Sequence, residues 1–299
     1  MPATTTFTIV PDGPFSLSAA ANFGFAAQMA RPKPQADAMA LAFVMDSFGF
    51  QTGVYLRQDS TARVRGQIYG SADARLVQKQ VARVLSLNQS GKAWLKVGRR
   101  DPVIGRLQKE LRGLRPVLFY SPYEAAAWSV LSQRRHRTQA AHVRQRLSVA
   151  HGKVFALPDG PLEAFPTPRT LLGVKSFSGI EPQRMERLRG IARAALDGKL
   201  DPERLLAMEQ SAAMAELQKL PGIGPFYAEL ILLRSTGATD ILTLREPHMP
   251  QYMAHFYKLR KGADMQKQIE RIAESWRPFR TWAMVLIRVA GDRAGLSLG

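Results

Sequence analysis

The rhythm of apolar and polar positions changes about a third of the way along the chain. Before it, short runs alternate with period two, as half-buried strands do. Phe7-Thr8-Ile9-Val10 reads as a strand ended by the turn Pro11-Asp12-Gly13-Pro14. Ser16 opens an amphipathic stretch through Phe23 and Phe25. Phe43-Val44-Met45, Gly53-Val54-Tyr55-Leu56 and Ala62 to Tyr69 read as successive strands of an antiparallel sheet. A helix fits Asp73 to Leu87, with Leu76, Val77, Val81 and Leu85 on one face.

Beyond Gly113 the β signals fade. Ser121-Pro122 reads as a helix cap with Pro in the first turn, ahead of apolar Ala126, Trp128, Val130 and Leu131. Further helices fit Gln139 to Ala150, Arg184 to Asp197, Ser211 to Leu220, Phe226 to Arg234 and Arg280 to Ala290, with Pro166, Pro168, Gly173 and Gly179 in the links. The expected fold is mainly α with an N-terminal α+β part. A small antiparallel-sheet domain over 1–112 packs on an all-helical domain over 113–299, with a helical hairpin at 211–236.

That hairpin carries the most chemistry. Ala212 to Leu220 is strongly helix-forming, and Pro221-Gly222 stops it. Gly222 and Gly224 are both free to take positive φ. Pro225 suits the first position of a second helix, which Gly237 can end. Two glycines without side chains let the backbone approach a phosphate. The free N–H groups opening the second helix then point at it, aided by the helix dipole. An ordinary helical hairpin with a glycine turn would look similar locally.

Charge favours the phosphate reading. With 42 Lys+Arg against 24 Asp+Glu, the formal net charge is +18, and a polyanionic partner follows naturally. No run of about eighteen apolar residues supports a membrane span, and the first residues lack the basic-then-apolar order of a secretory signal. The expectation is a monomeric, cytoplasmic, nucleoid-associated protein. Zero cysteines remove disulfides, thiolate metal sites and cysteine-bound iron–sulfur clusters. The five histidines show no i, i+4 pairing.

The string Leu220-Pro221-Gly222-Ile223-Gly224 and its flanks resemble the hairpin of the helix-hairpin-helix DNA glycosylase superfamily, specifically its DNA-3-methyladenine glycosylase II branch. The likeness extends to Ser121 through Gln133, to Phe165-Pro166-Thr167-Pro168 and to Trp276 through Ala283. It covers most of residues 115 to 299, and the N-terminal third matches only in general character.

The resemblance implies removal of damaged bases, typically alkylated purines, from double-stranded DNA by flipping and N-glycosidic hydrolysis. Charge develops on the sugar as the bond breaks, so a nearby carboxylate is the expected catalyst. Counted from the hairpin without gaps, the family's catalytic Asp position falls on Glu246. Pro247 after it is suited to opening a helix. Asp240 corresponds to a structural acid. Lyase members carry Lys where this chain has Phe226, so a monofunctional enzyme is implied. Phe226 and Trp282 would border the base pocket, with Arg288 replacing a second pocket aromatic. Gln133, Arg134 and Arg135 lie where the family inserts a wedge into DNA. A plain phosphate-binding cluster is the competing reading of those arginines. Gly222, Ile223 and Gly224 would contact the strand. The backbone carbonyls of Gln218, Leu220 and Ile223 match positions that hold a structural Na+ or K+, and no other cofactor is implied. Arg31, Lys33 and the Lys96, Arg99, Arg100 group read as solvated charge. The Asp-to-Glu change keeps a second function open: a catalytically weak or inactive lesion-sensing protein. An RNA-binding protein is a third, weaker alternative.

Overall fold

The computed structural model describes residues 5–23, 37–259, 262 and 264–296. Phe25, Arg31 and Lys33 lie outside them. The chain opens with β1 (Thr6–Ile9), α1 (Leu17–Ala21), β2 (Ala38–Val44), β3 (Gln51–Gln58), β4 (Val64–Tyr69) and α2 (Ala74–Val84). Then come α3 (Gly91–Arg100), α4 (Pro102–Glu110), α5 (Pro122–Ser132), α6 (Arg137–His151), β5 (Lys153–Leu157) and β6 (Gly160–Ala164). The rest is helical: α7 (Pro168–Gly173), α8 (Pro182–Leu196), α9 (Pro202–Ala207), α10 (Gln210–Gln218), α11 (Pro225–Ser235), α12 (Met249–Tyr257), α13 (Met265–Ala273) and α14 (Arg280–Arg293). The expectation of a mainly helical protein with a small antiparallel sheet holds.

Contacts divide the chain into two interleaved units. The first comprises Met1–Val10, Leu17–Asn88 and Val117–Gly237, and the second Pro11–Ser16, Gln89–Pro116 and Ala238–Gly299. This grouping does not follow a cut near residue 112. The sheet and the hairpin helices share one unit, while α3 and α4 group with the C-terminal helices.

In the first unit the sheet runs β1-β4-β3-β2, antiparallel throughout. β2 is almost wholly buried because both of its faces are covered. Its small residues Ala40 and Ala42, paired with Tyr55 and Gly53 of β3, seat a second hairpin, β5–β6. Phe155 lies where a Cβ on Gly53 would be only 2.8 Å from its ring, and Tyr55 donates to Asp159 at 2.9 Å. This hairpin corrects the expectation of an all-helical 113–299. Five-residue strands carry too little periodicity to stand out, and their burial comes from a distant partner. Leu76 is also corrected: it is 53% exposed, whereas Val77, Val81 and Leu85 are buried. One step of 100° carries it off the face those three share.

α5 is buried on every side from Pro122 to Leu131, as a central helix must be. Ser121 caps it by accepting the Glu124 N–H at 3.2 Å. Glu124, fully buried, accepts from Arg144 at 2.6 Å and from the Val44 N–H of β2 at 3.1 Å. An ion pair with its hydrogen bonds filled is what allows charge at this depth.

The second unit is built on two buried polar hubs. Arg115 is 1% exposed and donates to the carbonyls of Asp12, Pro14 and Gln89 at 2.7, 3.1 and 3.1 Å. Asp101 caps α4 through the Val103 and Ile104 N–H groups and accepts from Tyr257 and Trp276, both at 2.8 Å. Arg100 is not simply solvated, because it donates to the Ser275 carbonyl at 3.0 Å.

Candidate nucleic-acid interface and carboxylate

The hairpin forms where the glycines allow it. α10 ends at Gln218, and the turn closes with the Ile223 N–H on the Leu220 carbonyl at 3.1 Å. Gly222 has φ +82°, the left-handed conformation that glycine adopts without penalty. Gly224 does not. Its φ of −87° and ψ of −178° are extended backbone open to any residue, which corrects the expectation of a second positive φ. A Cβ built on Gly224 would meet nothing within 4 Å. Nothing inside the protein therefore requires glycine there. Its position does matter, since Gly224 is the N-cap of α11 with no side chain of its own, ahead of Pro225. The unpaired N–H groups of that first turn are left accessible to an outside acceptor.

α8 backs the hairpin. A Cβ on Gly190 would lie 2.9 Å from Pro221, and one on Gly222 would lie 2.9 Å from Arg187 Cδ. Arg187 donates to Gln133 Oε1 at 3.1 Å, and Gln133 Nε2 donates to the Gly222 carbonyl at 2.5 Å. Gln133 thus joins the end of α5 to the hairpin. Arg184 donates to the carbonyls of Val130, Leu131 and Gln133 at 2.9, 3.0 and 3.1 Å, capping α5. Neither contact is legible in the sequence, because the partners of both α8 arginines lie about fifty residues away.

The two candidate wedge arginines separate. Arg135 is held by Glu181 at 2.6 Å with its side chain 14% exposed. Arg134 is exposed, at φ +51°. The Glu181 carboxyl sits below its usual range, chiefly through its own backbone N–H and then through Arg135. Phe226, in the first turn of α11, is 45% exposed and meets Tyr227 edge-on at 5.3 Å. For the cation reading, Gln218 ends α10, and Leu220 and Ile223 lie in the turn.

Glu246, Trp282 and Arg288 belong to the second unit. Glu246 is half-buried ahead of α12. Its Oε2 accepts the His248 N–H at 2.8 Å and its carbonyl accepts the Met249 N–H at 3.1 Å. Pro250, not Pro247, occupies the first turn of that helix. Asp240 accepts from Arg277 at 2.8 Å and from Arg280 Nε at 2.9 Å. Trp282 is corrected to a core residue within its unit. It is 3% exposed, edge-on to Trp94 at 5.7 Å and Phe279 at 5.2 Å, with the Arg115 guanidinium 5.8 Å from its ring. Arg288 faces Asp292 at 3.7 Å, and Asp292 accepts from Tyr252 at 2.5 Å.

Among the described residues, no cluster of three or more His, Asp or Glu could hold a metal ion, and no helix is long and apolar enough to cross a membrane. No family model matches the chain. DNA-3-methyladenine glycosylase 2 of Escherichia coli (strain K12) is 31% identical over 189 residues, covering 62% of this chain. The chain spans 63% of that protein's length. Among solved structures, a 3-methyladenine DNA-glycosylase from Archaeoglobus fulgidus superposes with a TM-score of 0.75 at 18% identity, over 96% of this chain and 98% of that one. A Clostridium acetobutylicum 8-oxoguanine glycosylase/lyase, in complex with double-stranded DNA containing cytosine opposite 8-oxoG, superposes at 0.66 with 16% identity, over 99% and 98%.

Proposed function

We propose that this chain, which belongs to the helix-hairpin-helix DNA glycosylase superfamily and is of its DNA-3-methyladenine glycosylase II type, excises damaged bases, alkylated purines foremost, from double-stranded DNA. The observation that carries the DNA part is Gly224. A glycine in unstrained extended backbone, in open space at a helix N-terminus, makes sense if a phosphate takes the room a side chain would fill. The phosphate contact holds the strand without reading sequence, and the exposed Phe226 beside it offers a ring to a flipped base.

In the reaction, water adds to the sugar carbon as the N-glycosidic bond breaks, and that bond's electron pair leaves with the base. Glu246 stabilises the positive charge on the sugar or orients the water and accepts its proton. Phe226 at the lyase position leaves no amine to form a Schiff base there, which supports a monofunctional hydrolysis. Backbone carbonyls of Gln218 at the end of α10 and of Leu220 and Ile223 in the turn would suit a monovalent structural cation better than zinc or magnesium.

A second reading has its own support. One Glu246 oxygen is engaged by the His248 N–H of its own chain, as a purely structural acid would be, and a lesion-sensing protein without turnover would retain the hairpin. Incubation with methylated duplex DNA separates the two by measuring free base. The glycosylase reading expects release that Glu246→Gln abolishes. Duplex binding without release from methylated or other lesion-bearing DNA supports the sensor. Release that survives Glu246→Gln removes this residue from catalysis.

A further inference from the structure

Residues 132–135 form a type II turn. The Arg135 N–H closes it on the Ser132 carbonyl at 3.2 Å, Gln133 takes φ −56° and ψ 126°, and Arg134 takes φ +51°. The third position of such a turn needs positive φ and normally carries Gly or Asn. An arginine there stays only when its surroundings over-determine the backbone. The surroundings are on α8. Arg184 takes up the last carbonyls of α5, and Arg187 fixes the Gln133 amide so that its NH₂ faces the Gly222 carbonyl.

We propose that Arg187 is a positioning residue that locks this turn to the hairpin through Gln133, so that Arg134 and Gly224 meet the duplex as one rigid element. The inference rests on the DNA-binding reading above and extends it. Arg187 acts through Gln133: its Cδ lies against the glycine that needs positive φ, and its Nη1 donates to Gln133 Oε1. The hairpin then sets where the strand sits, and the clamp sets where Arg134 reaches into a weakened base pair.

The test compares binding of the full chain, by fluorescence anisotropy, to an intact duplex and to the same duplex carrying a tetrahydrofuran abasic analogue. A 2-aminopurine beside the analogue reports unstacking. Arg134→Ala is expected to lower the preference for the analogue about tenfold, the loss of one charged contact. Arg187→Ala should lower it about three- to tenfold while intact-duplex affinity stays within about twofold. Arg187→Lys should restore part of it, and Arg134→Ala with Arg187→Ala should be no worse than Arg134→Ala alone. The 2-aminopurine signal should fall in parallel. If Arg187→Ala does not fold, Gln133→Ala opens the same clamp from its other end and carries the same expectation. Equal loss on both duplexes, effects that multiply, or a wild type that does not prefer the analogue would overturn the proposal. Base release from methylated DNA is scored separately. A wild type that releases base but shows multiplying effects sinks the clamp alone. One that shows the coupled preference without releasing base sinks only the glycosylase reading.

Discussion

Two alanine substitutions two residues apart should part company. At Gly222 an alanine must hold φ near +82°, which costs an L-residue about 1–2 kcal/mol. Its Cβ would also press on Arg187 Cδ at 2.9 Å, and moving that side chain breaks the bond to Gln133, a further loss of about 0.5–1.5 kcal/mol. The sum is about 1.5–3.5 kcal/mol, which at roughly 2–4 °C per kcal/mol lowers the melting temperature by about 3–14 °C. At Gly224 the backbone already suits alanine and the space is open. Stability should rise by about 0.4–1 kcal/mol through the unfolded chain, or stay level.

Binding should reverse the order of interest. The Gly224→Ala methyl stands where the phosphate is expected, in front of the first N–H groups of α11. Losing one charged N–H to phosphate bond, about 1.5–3 kcal/mol, weakens duplex binding roughly tenfold to a hundredfold. Thermal unfolding and anisotropy with an undamaged duplex at fixed salt measure both quantities. A Gly224→Ala protein that is as stable as wild type and binds duplex equally well would refute the reasoning, because the glycine would then serve no outside contact. A destabilised Gly224→Ala protein would show that the open space around that Cβ is misjudged.

Phe226→Ala removes a ring that is 45% exposed, so stability should stay within about 0.5 kcal/mol. Base release should fall by about fivefold to a hundredfold in kcat/KM, the worth of one stacked base, and unchanged release would show that the ring does not meet the base. The Glu181 carboxyl is depressed, so its contribution to stability is present above pH 4.5 and lost as pH falls through its lower folded value. Arg135→Ala should raise its titration part of the way back, because its own backbone N–H is the larger cause. Carboxyl carbon shifts by NMR measure this, and an unmoved titration would deny the Arg135 pair that role.

What the sequence made legible is what local chemistry decides. Ser121-Pro122, Asp73 and Pro221-Gly222 mark element ends because capping and turn formation act over three or four residues. The hairpin follows for the same reason and β1, β3 and β4 from their alternation, whereas β2 begins at Ala38, five residues ahead of the expected Phe43. Leu76 failed because one step of 100° carries it off the face that Val77, Val81 and Leu85 share. Trp282 was assigned by position in a resembling segment, and it is Trp94 and Arg115, nearly two hundred residues earlier, that bury it.

The arginines show the limit most clearly. In the sequence they add up to a single field, a net +18 that points to a polyanion and treats every guanidinium alike. In the structure several are taken up by the protein itself. Arg115 and Arg144 are buried in carbonyl and carboxylate partners, Arg277 and Arg280 close on Asp240, and Arg184 and Arg187 reach α5 and Gln133. Each pairing spans 20 to more than 100 residues, so no window along the chain displays it. Attraction to a polyanion at long range depends on the total, whereas placement on the proposed duplex would depend on the few that remain exposed beside the hairpin. Arg134 is distinguished from Arg135 only because Glu181 claims the latter. Charge count therefore argues for a polyanionic partner, and it is the removal of paired arginines from that count that leaves Arg134 as the exposed one of this pair.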